Sequence, residues 1–248
     1  MQGLAKCGVA VVTAVLAAGC GGGTGQQSGG SSSSAKPTAS TTLPPPPAIV
    51  APAQLGPGTY PTKPHAPFGN VATPQAGATA EAQQLAGYVV GPWVVDATLT
   101  DPYLSTYFVL DKSSALAQLG PETIADAAGQ HNMIDGFASA RQSPAKAVLV
   151  NAVLRFASPA DASAAAADMN GAALQLKIRG TEAKPVAVPG HPDALGSVYT
   201  IDAHGTKLTT VRSFVAQGPY VLMQLAQSPD GPDPATALVA KAIDAQTG

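Results

Sequence analysis

Acidic residues and prolines are distributed so unevenly that they divide the chain into two parts. Residues 21–80 contain no Asp or Glu and eleven Pro, whereas all fifteen acidic residues lie from Glu81 onward. A segment with that composition cannot bury enough apolar surface to fold alone. Residues 81–248 are long enough for one domain with a sizeable core. We therefore place the boundary within residues 58–80 and predict a globular domain over residues 59–248.

A short apolar run lies near the N-terminus, after the single positive charge of Lys6. Residues 8–18 read GVAVVTAVLAA. This run is shorter than the roughly 20 residues needed to span a bilayer, and its length is typical of the apolar region of a signal peptide. We predict a signal peptide over residues 1–19.

The segment Leu16-Ala17-Ala18-Gly19-Cys20 resembles the bacterial lipobox, in which small residues precede a cysteine that becomes the acylated N-terminus. The resemblance implies S-diacylglyceryl and N-acyl groups on Cys20. A disulfide is not expected, because the other cysteine, Cys7, lies in the signal peptide. Since one acyl chain binds membranes only marginally, two or three chains make a stable anchor. We expect the chain at the extracytoplasmic face of the cell membrane, held by a flexible Gly/Ser-rich and then Pro/Thr-rich tether over residues 20–58.

Hydrophobic patterning predicts an α+β fold, in which an antiparallel sheet of about four or five strands packs with helices and follows a disordered tether. In residues 146–157, the two alternating sets of side chains predict a strand with one dry and one mixed face. The other predicted strands cover residues 106–110, 197–203, 207–217 and 220–227. Helices are expected over residues 80–90, over residues 121–128, after Ser158-Pro159 and after Asp233-Pro234. In the last helix we expect Asp233 as the N-cap and Leu238, Val239 and Ile243 on the buried stripe.

Four blocks carry a family resemblance: YPTKP at residues 60–64, EAQ at 81–83, YVVGPWVVD at 88–96 and NAVLRF at 151–156. In this order they resemble a family of mycobacterial cell-envelope lipoproteins of uncharacterised function. The resemblance covers roughly residues 58–248, supports the envelope location and implies no catalytic residues. Members of that family carry a second module, which would make a chain ending at Gly248 a short or truncated form.

The remaining sequence offers little chemistry. Residues 81–248 carry ten Lys/Arg against fifteen Asp/Glu and contain no basic cluster, which argues against a nucleic-acid partner. No nucleophile elbow, P-loop or dinucleotide fingerprint is present in the sequence. We therefore expect no catalytic residues, no metal and no cofactor.

Four residues are candidates for a ligand site or an interface: Trp93, His131, Asp135 and Arg141. His131 and Asp135 are four residues apart, and on a helix they would share one side as a partial metal site or an acid/base pair. A hydrogen-bonded histidine near a helix start is the ordinary expectation for His131, and the metal site or acid/base pair is the alternative. Trp93 is expected in the core rather than as a ligand platform. Arg141 and Arg155 could bind an anionic ligand, but a surface or intraprotein ion pair is the ordinary expectation for each.

The function that fits these observations is a non-catalytic binding or accessory module of the cell envelope. Its partners would be the membrane, through the lipid on Cys20, and an envelope protein or lipid. One alternative is a carrier or sensor that encloses an apolar envelope lipid in a cavity. A hydrolase with a site assembled from distant residues is the other alternative, for which a histidine within about 3 Å of Ser or Asp in a cleft is the expected sign.

Overall fold

An antiparallel sheet of seven strands carries helices on both of its faces. The computed structural model describes Ala82 and residues 85–248 except position 204, and it leaves out the side chain of Thr106. The predicted signal peptide, the tether and Cys20 lie outside these residues. The strands are β1 (Asp101–Leu110), β2 (Met133–Gln142), β3 (Val148–Phe156), β4 (Lys177–Ile178), β5 (Thr181–Glu182), β6 (Lys184–Pro185), β7 (Leu195–Ala203), β8 (Thr206–Gln217) and β9 (Tyr220–Ser228).

The helices lie before, between and after the strands. The α-helices are α1 (Pro92–Val95), α2 (Glu122–Gln130), α3 (Pro159–Leu174) and α4 (Pro232–Thr247), and two 3₁₀ helices cover Leu85–Gly87 and Ser113–Gln118. The strand order in the sheet is β1-β2-β3-β9-β8-β7-β6, while β4 and β5 form a separate two-stranded hairpin. No helix in the described part of the chain is both long and apolar enough to cross a membrane.

Strand β3 lies inside the sheet, between β2 and β9, and shows why the molecule has two apolar layers. Val148, Val150 and the following alternate side chains pack with α2 and α3. Leu149 and Val153 point to the opposite face and pack with α4. The alternation predicted for this strand is confirmed, and covering both faces buries a central strand almost completely.

The sheet is larger than the four or five strands expected. The additional long strand is β2, whose sequence MIDGFASARQ has small residues, among them Gly136 and Ala138, where β-branched residues would signal a strand. Strand β1 begins at Asp101 instead of residue 106. Of the helix expected over residues 80–90, the described part contains a helical Ala82 and the 3₁₀ turn Leu85–Gly87.

The C-terminal helix packs as expected but begins differently. Leu238, Val239 and Ile243 are buried against the sheet, which confirms the predicted stripe. The N-cap is Gly231 rather than Asp233, and its φ of 107° is readily adopted only by glycine. Asp233 instead lies in the first turn, where a negative charge interacts favourably with the helix dipole.

A buried hydrogen-bond network joins α4 to the central strands and to the segment that precedes α1. The Gln246 side-chain nitrogen donates to the carbonyl of Tyr88 (2.6 Å), and Gln246 Oε1 accepts from the Val90 N–H (2.9 Å) and from Asn151 Nδ2 (2.8 Å). Gln224 Nε2 donates to Asn151 Oδ1 (3.2 Å), and Ser213 Oγ donates to Gln224 Oε1 (2.8 Å). All four side chains are fully buried, so water cannot replace these bonds.

We predict that Gln246→Ala strongly destabilises the protein. The change leaves the Val90 N–H and the Tyr88 carbonyl without their partner in the network, at about 1–3 kcal/mol for each buried unsatisfied group. The measurement is the free energy of unfolding in urea. Lys241→Ala, at an exposed position of the same helix, is the control and should change it by less than about 0.5 kcal/mol. Equal stability of the two variants would contradict the role given to the network.

Candidate ligand-binding site

A cavity of about 280 Å³ lies on the face of the sheet that carries α2 and α3. Its floor includes Val150 of β3, Leu225 of β9 and Arg212 of β8. These residues are paired across neighbouring strands, Val150 with Leu225 and Leu225 with Arg212, so they form one row across the sheet. Leu119 and Gly120, which follow the 3₁₀ helix Ser113–Gln118, line the cavity from another side.

An irregularity in β1 supplies another wall of the cavity. Pro102 pairs with Arg141 of β2 and Tyr107 pairs with Ser139, so β1 has extra residues between two positions that are close together in β2. Tyr103 and Leu104 lie in this bulge and line the cavity. Bulges are frequent beside functional sites because they redirect side chains.

The backbone at Leu104 is strained, and its side chain is exposed. Its φ is 57°, in the left-handed region that bulky residues rarely adopt, and the residue is 78% exposed. Such conformations cost of order 1–3 kcal/mol and persist only where the surrounding structure fixes them. Here the bulge fixes Leu104 at the border of the cavity.

Arg212 is the charged group of this cavity. The residue is 6% exposed, and its Nη1 is buried with no hydrogen-bond partner within the described residues. Arg212 also belongs to none of the ion pairs found there. Its Cζ lies 5.7 Å from the centre of the Tyr199 ring, and a Cβ on Gly120 would lie 3.5 Å from Nη2. The guanidinium thus lies beside an aromatic ring and a glycine, with donors left for another molecule.

Two further polar side chains border the cavity near Arg212. The Tyr103 hydroxyl donates to Gln227 Oε1 at 3.3 Å, and Gln227 Nε2 donates to Thr210 Oγ1 at 3.2 Å. Burial raises the pKa of Tyr103, with a smaller raising effect from Tyr199 and a lowering effect from Arg212. Tyr103 is therefore a neutral hydrogen-bonding group at neutral pH. Among the described residues that line the cavity there is no Asp or Glu, so its formal charge is +1.

Trp93 and Arg141 lie outside the cavity and contact each other. The expectation that Trp93 belongs to the core is wrong, because α1 is a single turn that buries Pro92 and leaves Trp93 36% exposed. The Arg141 Cζ lies 5.3 Å from the centre of the Trp93 ring, a cation–π geometry. Partial burial lowers the pKa of Arg141. The pair forms a surface contact between α1 and β2.

His131 and Asp135 do not share a helix, so the partial metal site or acid/base pair considered for their spacing does not form. His131 follows the end of α2, Asn132 has a φ of 57°, and the chain then enters β2, which contains Asp135. Asp135 pairs with Arg155 of β3, where Arg155 Nε lies 2.9 Å from Oδ1. The ion pair expected for Arg155 is therefore confirmed. Within the described part of the chain, no group of three His, Cys, Asp or Glu could hold a metal ion.

His131 contacts Asp168 of α3 instead. Nε2 lies 2.7 Å from Asp168 Oδ2, beside an open cleft between α2 and α3 that Asp168 lines. The side chains are 23% and 59% exposed, and no hydroxyl of the described residues is hydrogen-bonded to His131. The pair has the distance expected for a hydrolase, but the described residues do not supply a nucleophile to it. We regard the contact as one that joins α2 to α3.

Arg212 is not among the residues predicted from the sequence, although the pattern of strand β8 contains a signal for it. In β8, Arg212 is two residues from Phe214 and therefore on the same face of the strand, and Phe214 is fully buried with α2 and α3. A single charge on the inward side of a predicted strand needs a partner or a ligand. No partner is adjacent in the sequence, so this signal points to a site without showing what completes it.

Comparison with known proteins identifies the family. Residues 68–248 match the model of a domain of unknown function, DUF7373, N-terminal. The chain belongs to this family. Among solved structures, the chain is similar to the extracellular domain of PknH from Mycobacterium tuberculosis, with 11% identity, a TM-score of 0.45, and coverage of 66% of this chain and 95% of that one. The search of curated proteins found no match.

Two arginines on opposite faces of the sheet, Arg212 and Arg155, should change the stability in opposite directions when each is replaced by Met. Arg212→Met removes a buried charge that has no carboxylate partner, and we expect it to raise the free energy of unfolding by about 1–3 kcal/mol. Arg155→Met leaves Asp135 buried without its ion pair, and we expect a loss of about 3–5 kcal/mol. Urea unfolding measures both changes. If Arg212→Met destabilises the protein as much as Arg155→Met does, Arg212 is a structural residue and not a ligand anchor.

Proposed function

We propose that this DUF7373 chain is a non-catalytic binding module of the cell envelope, anchored by lipid at Cys20, which holds a small anionic ligand in the Arg212 cavity. One observation carries the proposal: the guanidinium of Arg212 is buried beside a cavity, with Nη1 unpartnered among the described residues. Taking a charge out of water is unfavourable unless a partner compensates it. A bound anion supplies that partner.

The cavity supports ligand binding better than a purely structural role for Arg212. Structural buried charges are normally paired, as Asp135 and Arg155 are. The apolar side chains around Arg212 would pack at least as well around Met. Residues that reduce stability are typical of functional sites. The cavity is also close in size to the smaller end of known ligand pockets, about 300–1,000 Å³.

The N-terminal sequence supports the location part of the proposal, which includes the lipid anchor. The apolar run over residues 8–18 followed by Cys20 resembles the signal and lipobox of bacterial lipoproteins. The sequence blocks YPTKP, YVVGPWVVD and NAVLRF resemble mycobacterial envelope lipoproteins, which also favours an envelope location. On this proposal, the ligand site is held outside the cytoplasm and close to the membrane.

Cys20→Ala should prevent acylation and cleavage after Gly19, because the modified thiol is absent. The mass of the cleaved and acylated protein would no longer be found, and the protein would move out of the detergent phase of a Triton X-114 partition. Cys7→Ala is the matched control, since it changes the other cysteine of the chain inside the predicted signal peptide. A Cys20→Ala protein that keeps the mature mass and stays with membranes after alkaline washing would disprove the anchor.

Native mass spectrometry tests the cavity as a ligand site. We expect the chain purified from its source membrane to carry a small molecule that is absent from Arg212→Met. Lys207→Met removes an exposed cation from the same strand and should retain the added mass. The same spectrum for wild type and Arg212→Met, with no additional mass in either, would contradict ligand binding through Arg212.

A further inference from the structure

We infer that the ligand of the Arg212 cavity is a monocarboxylic acid with a short apolar chain. The inference rests on the proposed ligand site and adds the chemical class of the molecule that fills it. Three properties of the cavity carry it: its charge, the character of its walls and its volume.

The charge of the cavity matches one carboxylate. Arg212 contributes +1, and the described lining residues contain neither another cation nor an acid. A neutral ligand would leave the guanidinium uncompensated, and a dianion would bury an additional negative charge. The planar guanidinium matches the two oxygens of a carboxylate and forms paired charge-assisted hydrogen bonds with them.

The surroundings of Arg212 favour a head group at one end of the cavity. Tyr103 is neutral because burial raises its pKa, and it lies near Arg212 and Tyr199. Its hydroxyl bond to Gln227, at 3.3 Å, is long for an O–H donor and is readily exchanged for a bond to a carboxylate oxygen. Gln227 also lines the cavity. These groups can hydrogen-bond to an anion without adding charge.

The other walls suit an apolar chain. Besides Tyr103, six side chains of the lining are purely aliphatic or aromatic, and none of them carries a charge or a hydrogen-bonding group; they are Leu104, Phe108, Ala117, Leu119, Val150 and Leu225. Gln118 is a further uncharged polar residue of the lining. The volume of about 280 Å³ corresponds to about nine water-sized volumes of 30 Å³. A carboxylic acid of about ten non-hydrogen atoms fills this space. Octanoate is therefore a suitable probe.

The decisive experiment is isothermal titration calorimetry of the full chain in its Cys20→Ala form, which needs no detergent. At pH 8 we expect octanoate to bind with a stoichiometry of one. Arg212→Met should weaken binding at least tenfold. Arg212→Lys should fold with its charge retained and also lose affinity, because Lys lacks the planar fork. Lys207→Met should bind like the parent.

Three further ligands test separately the charge, the apolar chain and the head group of octanoate. Methyl octanoate lacks the charge, acetate lacks the chain, and octyl phosphate is mainly dianionic at pH 8 because its second pKa is about 6. We expect each to bind at least tenfold more weakly than octanoate. Octyl phosphate binding as tightly as octanoate would assign the site to phosphates and overturn the inference. If methyl octanoate binds as tightly as octanoate, the charge of Arg212 does not contribute to ligand recognition and the inference is overturned.

The octanoate titration and the native mass spectrum together show whether this inference fails alone or whether the proposed function fails with it. If octanoate does not bind but the native protein carries a mass that Arg212→Met lacks, the cavity is a ligand site for another chemical class, and the inference fails alone. If octanoate does not bind and no such mass is found, the proposed function fails with it. Octanoate binding that is unchanged in Arg212→Met would place the acid elsewhere on the protein and also overturn the inference.

Discussion

The fully buried network around Gln246 holds the two ends of the described domain to its centre. The side-chain amide of Gln246 forms hydrogen bonds to the backbone of Tyr88 and Val90 and to the side chain of Asn151. Asn151 is in turn hydrogen-bonded to Gln224, and Gln224 to Ser213. These groups come from α4, from the segment before α1 and from strands β3, β9 and β8. Inside a protein such bonds are strong when every member is satisfied and unfavourable when one is missing. The position of α4 on the sheet is therefore specified by hydrogen bonds as well as by apolar contact.

The buried side-chain amides on one face of the sheet differ from the buried guanidinium on the other, and this difference indicates where the ligand site lies. On the α4 face, the amides of Asn151, Gln224 and Gln246 are all paired. On the other face, Arg212 is also buried, at 6% exposed, but its Nη1 has no partner among the described residues. An unpaired guanidinium costs more than an unpaired amide or hydroxyl because it carries a full charge, and a ligand in the adjacent cavity would compensate that charge. The difference favours a functional role for Arg212 over an accident of packing.

Local patterns predicted the parts of the fold whose neighbours in sequence are also neighbours in space. Strand β3, the Ser158 cap of α3 and the antiparallel strands β7 to β9 follow from alternation, capping and turns. Strand β2 was missed because its burial depends on the strands beside it rather than on its own small residues. The cavity depends on β1, β3, β8 and β9 together, so no single stretch predicts it. His131 and Asp135 show the reverse case, since a turn at Asn132 separates residues that a helix would have joined.

Two unfavourable features meet at this one cavity. Leu104 has a strained backbone in the β1 bulge, and Arg212 is a buried charge on the sheet floor. Each reduces stability on its own, and an apolar residue or a regular strand would remove the penalty. The bulge is needed to bring Tyr103 and Leu104 over the sheet, and the charge is needed to hold an anion there. A binding site explains both features with one cause, and the fully bonded network on the opposite face gives the domain the stability to retain them.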